Sequence, residues 1–504
     1  MKTVLCLLFV ASSAMGQGFV INEDDSHFFV YRAPEEMSMA GLNAFVDQYA
    51  GTKVSHLFLC PNAMKASYRS AVRDAIWDID GQNIDKGDGS GRQWVSNAKL
   101  LFDRGLDPYA VWIARCREKG ISPWLSMRMN DVHNVDDPTC YIHDHFWVKH
   151  PDYWRVPGSK GNWVDRALDY GIPEVREHNM ALVRELLERY DADGLELDWM
   201  RFGYHFAPGK EKEGAEILTT FTREVRKLTK EWAAKRGHPI KLGARVPTLP
   251  DAAIGLGMDA VTWVREGLID MLVPTPFWAT TDFDIPIETW RERIGPSVKN
   301  IVLAAGGEVL LRAYPSAPLA GVDLPSTRGF AAAHLHRGAD QIYLFNYMDK
   351  EPMLGPAGTY QKLLHEGLSL DVAAKNPRRH VVTFRDTVAP GMSNDAVLPV
   401  DALKGGAFRI YIGPAPKQGK MTFVAGLTAR DEVDKAACEV FLNDAPCKPM
   451  ADGPDPKLYP TVARALQFEC PLASAKEGYN NVRISQKPGQ AGQQIVWAEL
   501  RIEP

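Results

Sequence analysis

Two acids inside an apolar strand are the first sign of chemistry in this sequence. The stretch YDADGLELDWMRFGYHF, residues 190–206, carries Glu196 and Asp198 between leucines, a glycine and a tryptophan. Side chains alternate along a strand, so Gly194, Glu196 and Asp198 share one face and Leu195, Leu197 and Trp199 the other. Burying two carboxyls two residues apart is costly unless they are paired or used. The use that suits them is acid–base work, in which environment holds one carboxyl protonated and another ionised.

Such acids need a scaffold, and the pattern around them supplies one. Short β-rich runs near residues 28–32, 54–60, 122–129, 194–200, 240–246, 270–275, 300–305 and 341–347 alternate with helical stretches. The helix PEVREHNMALVRELLERY, for example, places Val175, Met180, Val183 and Leu187 on one stripe and leads directly into the acidic strand. Repeated strand–helix units predict a parallel sheet, and eight of them predict an α/β fold of the (β/α)8 or TIM barrel class. An open doubly wound sheet is the alternative, but no GxGxxG follows the first run. From about Asn376 the helical period stops. Runs such as HVVTFRD, AFRIYIG and NNVRISQ alternate between turn residues, which predicts a C-terminal all-β sandwich. The expected organisation is a leader over 1–17, a barrel over 18–375 and a β-sandwich over 376–504.

A barrel puts its chemistry at the C-terminal ends of the strands. The first run offers Arg32, the second Asn62, and the third Arg128, Asn130, Asp131 and His133. The fourth offers Glu196, Asp198 and Arg201, the fifth Arg245, the sixth Trp278, the seventh Glu308, and the eighth Asn346 and Tyr347. Asp198, near the mouth, is the better catalytic candidate. Glu196, one inward position deeper, is expected to be held by Arg128 or Arg245 and to orient Asp198 or bind a hydroxyl. A second catalytic carboxyl must come from another strand. Glu308 is the first choice, because the glycines before it leave room, and Asp131 is close behind. A mouth of carboxylates, arginines, amides and aromatics suits a polyhydroxylated ligand, with Trp278 as a ring platform.

The helix and strand PEVREHNMALVRELLERYDADGLELDWMRF resemble the fourth-strand unit of (β/α)8 glycoside hydrolases, in particular bacterial glycosyl-hydrolase-like barrels with a D-G-x-x-x-D strand. The resemblance implies a hydrolase cleaving glycosidic bonds of a poly- or oligosaccharide. Alpha-amylase-like and alpha-galactosidase-like barrels place an Asp nucleophile where Asp198 stands. Chitinase-like barrels place a general acid there in a D-x-D-x-E pattern, against which this chain reads Gly194, Glu196, Asp198. Nucleophile and acid both remain open for Asp198. A non-catalytic carbohydrate-binding protein on a degenerate barrel is the competing expectation.

Whole-chain features bound the reading. A net charge of −5 gives no broad basic surface for nucleic acid. MKTVLCLLFVASSAMGQ has a lysine, a short apolar run and small residues near 14–17, the pattern of a cleaved secretory leader, so a secreted or periplasmic location is expected without membrane insertion. Arg32, Arg128, Arg201 and Arg245 suggest a substrate carrying carboxylate or sulfate groups. The aromatic insert HDHFWVKHPDYWRVP, residues 143–157, is expected to wall the cleft. Its His143 and His145 lack a third ligand at motif spacing, so neither a metal nor another cofactor is expected. Cys438, Cys447 and Cys470 could supply one disulfide, Cys438 with either of the others.

Overall fold

The computed structural model describes residues 18–87, 89–350, 353–428, 438–450, 459, 462–487 and 493–504. The expected leader lies outside them. Eight parallel strands close into a barrel: β1 (Phe19–Glu23), β2 (Val54–Leu59), β3 (Ser122–Arg128), β4 (Gly194–Asp198), β5 (Lys241–Val246), β6 (Met271–Pro274), β7 (Val302–Glu308) and β8 (Gln341–Phe345). Each pairs with its sequence neighbour, and β1 closes the ring against β8.

Seven of the eight expected runs are strands. The first is not: HFFVY, residues 27–31, is a helix, and the barrel begins at FVINE, residues 19–23. Propensity misleads here, because aromatic and β-branched residues favour strands only as far as packing lets them. His27, Phe28 and Phe29 are all buried, so their backbone follows helix packing. FVINE is buried at every position. A strand buried on both faces shows no alternation to read.

The barrel interior is layered. At its lower end Trp124 stacks on Phe58, ring centroids 4.7 Å apart, within an apolar plug that includes Val20, Met271, Val273, Ala304 and Tyr343. Gly194 makes room for this plug, since a Cβ there would stand 2.4 Å from the Trp124 ring. Above the plug the parallel register aligns Ser126 with Glu196 and Glu196 with Gly243. One layer higher it aligns Arg128, Asp198 and Arg245 across three strands. Leu195, Leu197 and Trp199 face the other way, into the helix-packed core.

After the helix Leu370–Lys375 come two antiparallel sheets. One is built on Arg378–Val381, Gln494–Glu503, Lys420–Leu427 and Arg464–Cys470, the other on Gly406–Tyr411, Tyr479–Gln486 and Cys438–Leu442. The first docks on the barrel through the helix Leu324–His336. Contact is close enough that a Cβ on Gly329 would fall 1.9 Å from the Arg379 carbonyl oxygen. Arg379 clamps the seam, bonding Asp323 on the barrel side (2.5 Å) and Glu499 in the sheet (2.6 Å). Cys447 and Cys470 approach to 3.3 Å between Sγ atoms, a hydrogen-bond distance, and no disulfide joins the C-terminal cysteines of the described residues, so the expected one through Cys438 is not formed.

Gly194→Ala should cost about 1–3 kcal/mol, the usual range for overfilling a packed interior. Urea denaturation monitored by tryptophan fluorescence measures it, and an unchanged midpoint would remove Trp124 as the reason for the glycine.

Candidate active site

A cavity of about 360 Å³ opens at the C-terminal ends of the strands, with Asp24, Asp25, Arg128, His133, Arg201, Trp278 and Asn346 on its wall. A larger one, about 540 Å³, lies at the seam with the β domain, lined by Asp282, Arg385 and Arg409 among others. No strand-end candidate lines it, so the smaller cavity is the one the barrel positions for chemistry.

Asp198 points inward at the end of β4, where Arg245 donates to its Oδ2 at 2.6 Å. Its Oδ1 accepts from the backbone N–H groups of Met200 (3.0 Å) and Arg201 (2.9 Å), which turns the chain sharply after the strand. The residue is 1% exposed and lies beneath the cavity wall. Glu308 ends β7 in similar seclusion, accepting from Val309 N (2.8 Å) and from Asn346 Nδ2 (3.3 Å). Burial pushes its carboxyl up to about 8, against the opposing pull of Arg201 and Arg245.

Glu196 sits one layer down and is held by other groups than expected. Ser126 Oγ (2.7 Å) and Tyr343 Oη (2.8 Å) donate to it, in place of Arg128 or Arg245. Burial and then the neighbouring Asp198 push it up to about 7, with Arg245 opposing. Like Asp198 and Glu308, it is not among the residues of the cavity wall.

Asp131 is a supporting acid. Its Oδ1 accepts from His133 Nδ1 (2.8 Å) and His133 N (2.9 Å), and its Oδ2 from Arg128 (3.1 Å). Three of the expected ligand residues bond the scaffold. Asn62 donates to the Ala63 and Arg128 carbonyls. Asn130 ties the Leu168 and Tyr204 backbone. Tyr347 packs in the helix-facing core with its hydroxyl on Thr327. Arg32 is bonded to Asp349 at 2.7 Å and is not on the cavity wall. The aromatic insert packs on itself, Trp147 on Trp154 at 4.7 Å, and the wall is formed by Asn134, Tyr141 and Ile142 just before it.

No protein-family model matches the chain. Glycosyl hydrolase DigH of Escherichia coli O6:H1 (strain CFT073) is 20% identical across 40% of this chain and 54% of its own length. The DigH of strain K12 is 24% identical across the same shares. Glycosyl hydrolase YngK of Bacillus subtilis (strain 168) is 23% identical across 38% of this chain and 44% of its own. The chain is distantly similar to these glycosyl hydrolases. It spans about half the length of the curated relatives it matches. Among solved structures, chitinase ChiA74 from Bacillus thuringiensis aligns over 94% of this chain and 98% of its own with 9% identity and a TM-score of 0.39. For alpha-L-fucosidase isoenzyme 1 from Paenibacillus thiaminolyticus the figures are 93%, 96%, 12% and 0.32. At such scores no residue role or substrate carries over.

The misplaced first strand hid the acids at its end. Asp24 and Asp25 follow β1 directly and line the cavity. Arg128 bonds both, along with Asp131. Burial alone would raise Asp24, but Arg128 and Arg201 hold it well below the usual carboxylate range. Asp25 goes the other way, pushed well above that range by burial and by Asp24, against Arg128. One of two touching carboxyls thus keeps the proton. His27 joins the wall, placed between Glu23 (2.8 Å) and Asp349 (3.0 Å); burial opposes its charge, yet these acids raise it to about 9. The signal was legible: three consecutive acids, Glu23 to Asp25, ending an apolar run.

Trp278 depends on the β domain. The Asp386 carboxylate, from the segment after Arg378–Val381, accepts from the backbone N–H groups of Phe277 (2.9 Å), Trp278 (2.8 Å) and Ala279 (2.8 Å). Asp386→Ala removes all three acceptors. It should lower stability by about 1–3 kcal/mol and raise KM several-fold with kcat little changed. Steady-state kinetics beside thermal unfolding check this, and an unchanged KM would leave the contact as bracing alone.

Proposed function

We propose that this protein is a glycoside hydrolase acting on a poly- or oligosaccharide at the barrel mouth. The observation that carries the reading is the pair of buried carboxyls that end β4 and β7, held in different electrostatic surroundings. Arg245 is hydrogen-bonded to Asp198 and lies within electrostatic reach of Glu308, whose carboxyl burial keeps protonated up to about pH 8. Glycoside hydrolysis needs a proton donor for the leaving oxygen and a carboxylate on the other side of the scissile bond, which stabilises the positive charge that develops on the sugar ring. Glu308 fits the first role and Asp198 the second. Trp278, 36% exposed, offers a sugar ring an apolar face. The distant similarity to curated glycosyl hydrolases supports the same reading. Export belongs to the proposal and rests on the composition of residues 1–17.

One observation favours the second reading, a glycan-binding protein without catalysis. Asp198 and Glu308 are each 1% exposed and lie behind the cavity wall. Released reducing sugar across a glycan panel separates the two. Catalysis predicts product from the parent and a loss of roughly 10²–10⁴-fold in Asp198→Asn and in Glu308→Gln. Undiminished hydrolysis by Asp198→Asn would end the catalytic assignment, and glycan binding with no product from the parent would establish the second reading.

The pH profile carries a further expectation. The acid must be protonated, so kcat/KM should fall as pH rises through about 8, and Glu308→Gln should abolish that limb. Stability follows the same sign. A carboxyl whose folded value exceeds its unfolded one contributes stability below the unfolded value and loses it as pH rises toward the folded one. Between about pH 5 and 8 the Glu308→Gln melting temperature should therefore gain on the parent's; a constant difference would show that Glu308 ionises freely in the fold.

A further inference from the structure

The arginines of the mouth differ in their partners. Arg32 is bonded to Asp349, Arg128 to Asp24, Asp25 and Asp131, and Arg245 to Asp198. Arg201 is as deeply placed, 6% exposed on the cavity wall, yet no carboxylate of the described residues lies within 4 Å of it. Its Nη2 donates to His133 Nε2 at 2.9 Å, and its Nε has no hydrogen-bond partner. Because a guanidinium only donates, His133 accepts through Nε2 and gives its Nδ1 proton to Asp131. Asp131 therefore reaches Arg201 only through a histidine. The other acids in electrostatic range are Asp24, already bonded to Arg128, and Glu308, which burial keeps protonated.

A buried guanidinium with no carboxylate in contact is expensive, and the cost is offset when a ligand brings one. The local backbone is arranged to hold it there. Phe202, the next residue, has φ +69°, a conformation that bulky side chains avoid, and it is fixed by packing on His133 (4.8 Å) and Phe277 (5.0 Å). Phe202 and Phe345 flank the guanidinium at 5.5 and 5.6 Å.

We propose that Arg201 is the receptor for an anionic substituent of the substrate, a carboxylate or sulfate ester on the sugar unit bound in the mouth. This rests on the glycan reading of the site but not on catalysis. A planar fork of N–H donors matches either anion in a two-point contact. Its neighbours Asn346 and Trp278 then take hydroxyls and the ring face.

Calorimetric titration with matched oligosaccharides tests it. Oligogalacturonate and oligoglucuronate are each compared with their carboxyl-reduced forms, and a sulfated galactan oligosaccharide with its desulfated form, at fixed ionic strength. The parent should bind the charged member of at least one pair 10-fold or more tightly than its neutral counterpart, and the pair that responds identifies carboxylate or sulfate as the source. Arg201→Gln should erase that preference, and Arg201→Lys should keep a reduced preference. Equal binding of both members of every pair by the parent, or no binding of any charged member, overturns the proposal even where the variants do not fold. A preference retained in folded Arg201→Gln overturns it too. Failure of the hydrolase reading looks different: the charge preference persists and no reducing sugar is released.

Discussion

The structure of the mouth depends on one ion pair, Arg245 with Asp198. The parallel register of β3, β4 and β5 forces Arg128, Asp198 and Arg245 into one layer, where water cannot solvate them. Charge in that layer is tolerable only if each group meets its opposite. Arg245 does this for Asp198, Arg128 does it for the acids after β1, and these two guanidinia with Arg201 set the field in which the other carboxyls sit. Glu308 and Asp25, left with less compensation than their burial demands, hold protons; Asp24, with Arg128 against it, does not. A small set of cations thus sorts neighbouring acids into donors and acceptors.

Below that layer the barrel is plugged by apolar side chains, and this decides how far a ligand can descend. Trp124 fills the space that Gly194 and Gly243 vacate, so Glu196 stands on a dry floor, where Ser126 and Tyr343 donate to its Oε1 and its Oε2 has no hydrogen-bond partner. The first glycine of the D-G-x-x-x-D strand is therefore a packing residue. The β domain contributes from outside, through Arg379 at the seam and through Asp386 under the loop that carries Trp278. The loop that carries Trp278 on one domain is thereby held by a carboxylate on another.

Much of this was legible before any coordinates. The alternation of strands and helices, the switch to β-only runs after residue 376, and the inward face of β4 follow from side-chain period alone. Legibility failed where period is silent. FVINE is buried on both faces and shows no alternation, so β1 was sought in HFFVY, and Asp24, Asp25 and His27 were lost with it. For Asn62, Asn130 and Tyr347 the reason is another: a polar residue at a strand end looks the same whether it meets a ligand, a backbone carbonyl or a neighbouring hydroxyl.

By itself the sequence determined the architecture and the depth order of the β4 acids, because hydrophobic periodicity and strand alternation are local properties of the chain. Only the tertiary structure decided which arginine meets which acid. Arg128 faces Asp24 from 104 residues away, Arg245 reaches Asp198 across 47, and Arg201 is left with a histidine. Such pairings depend on register around a closed ring and on distances of a few ångströms, and Coulomb energies in a dry interior change steeply over that range.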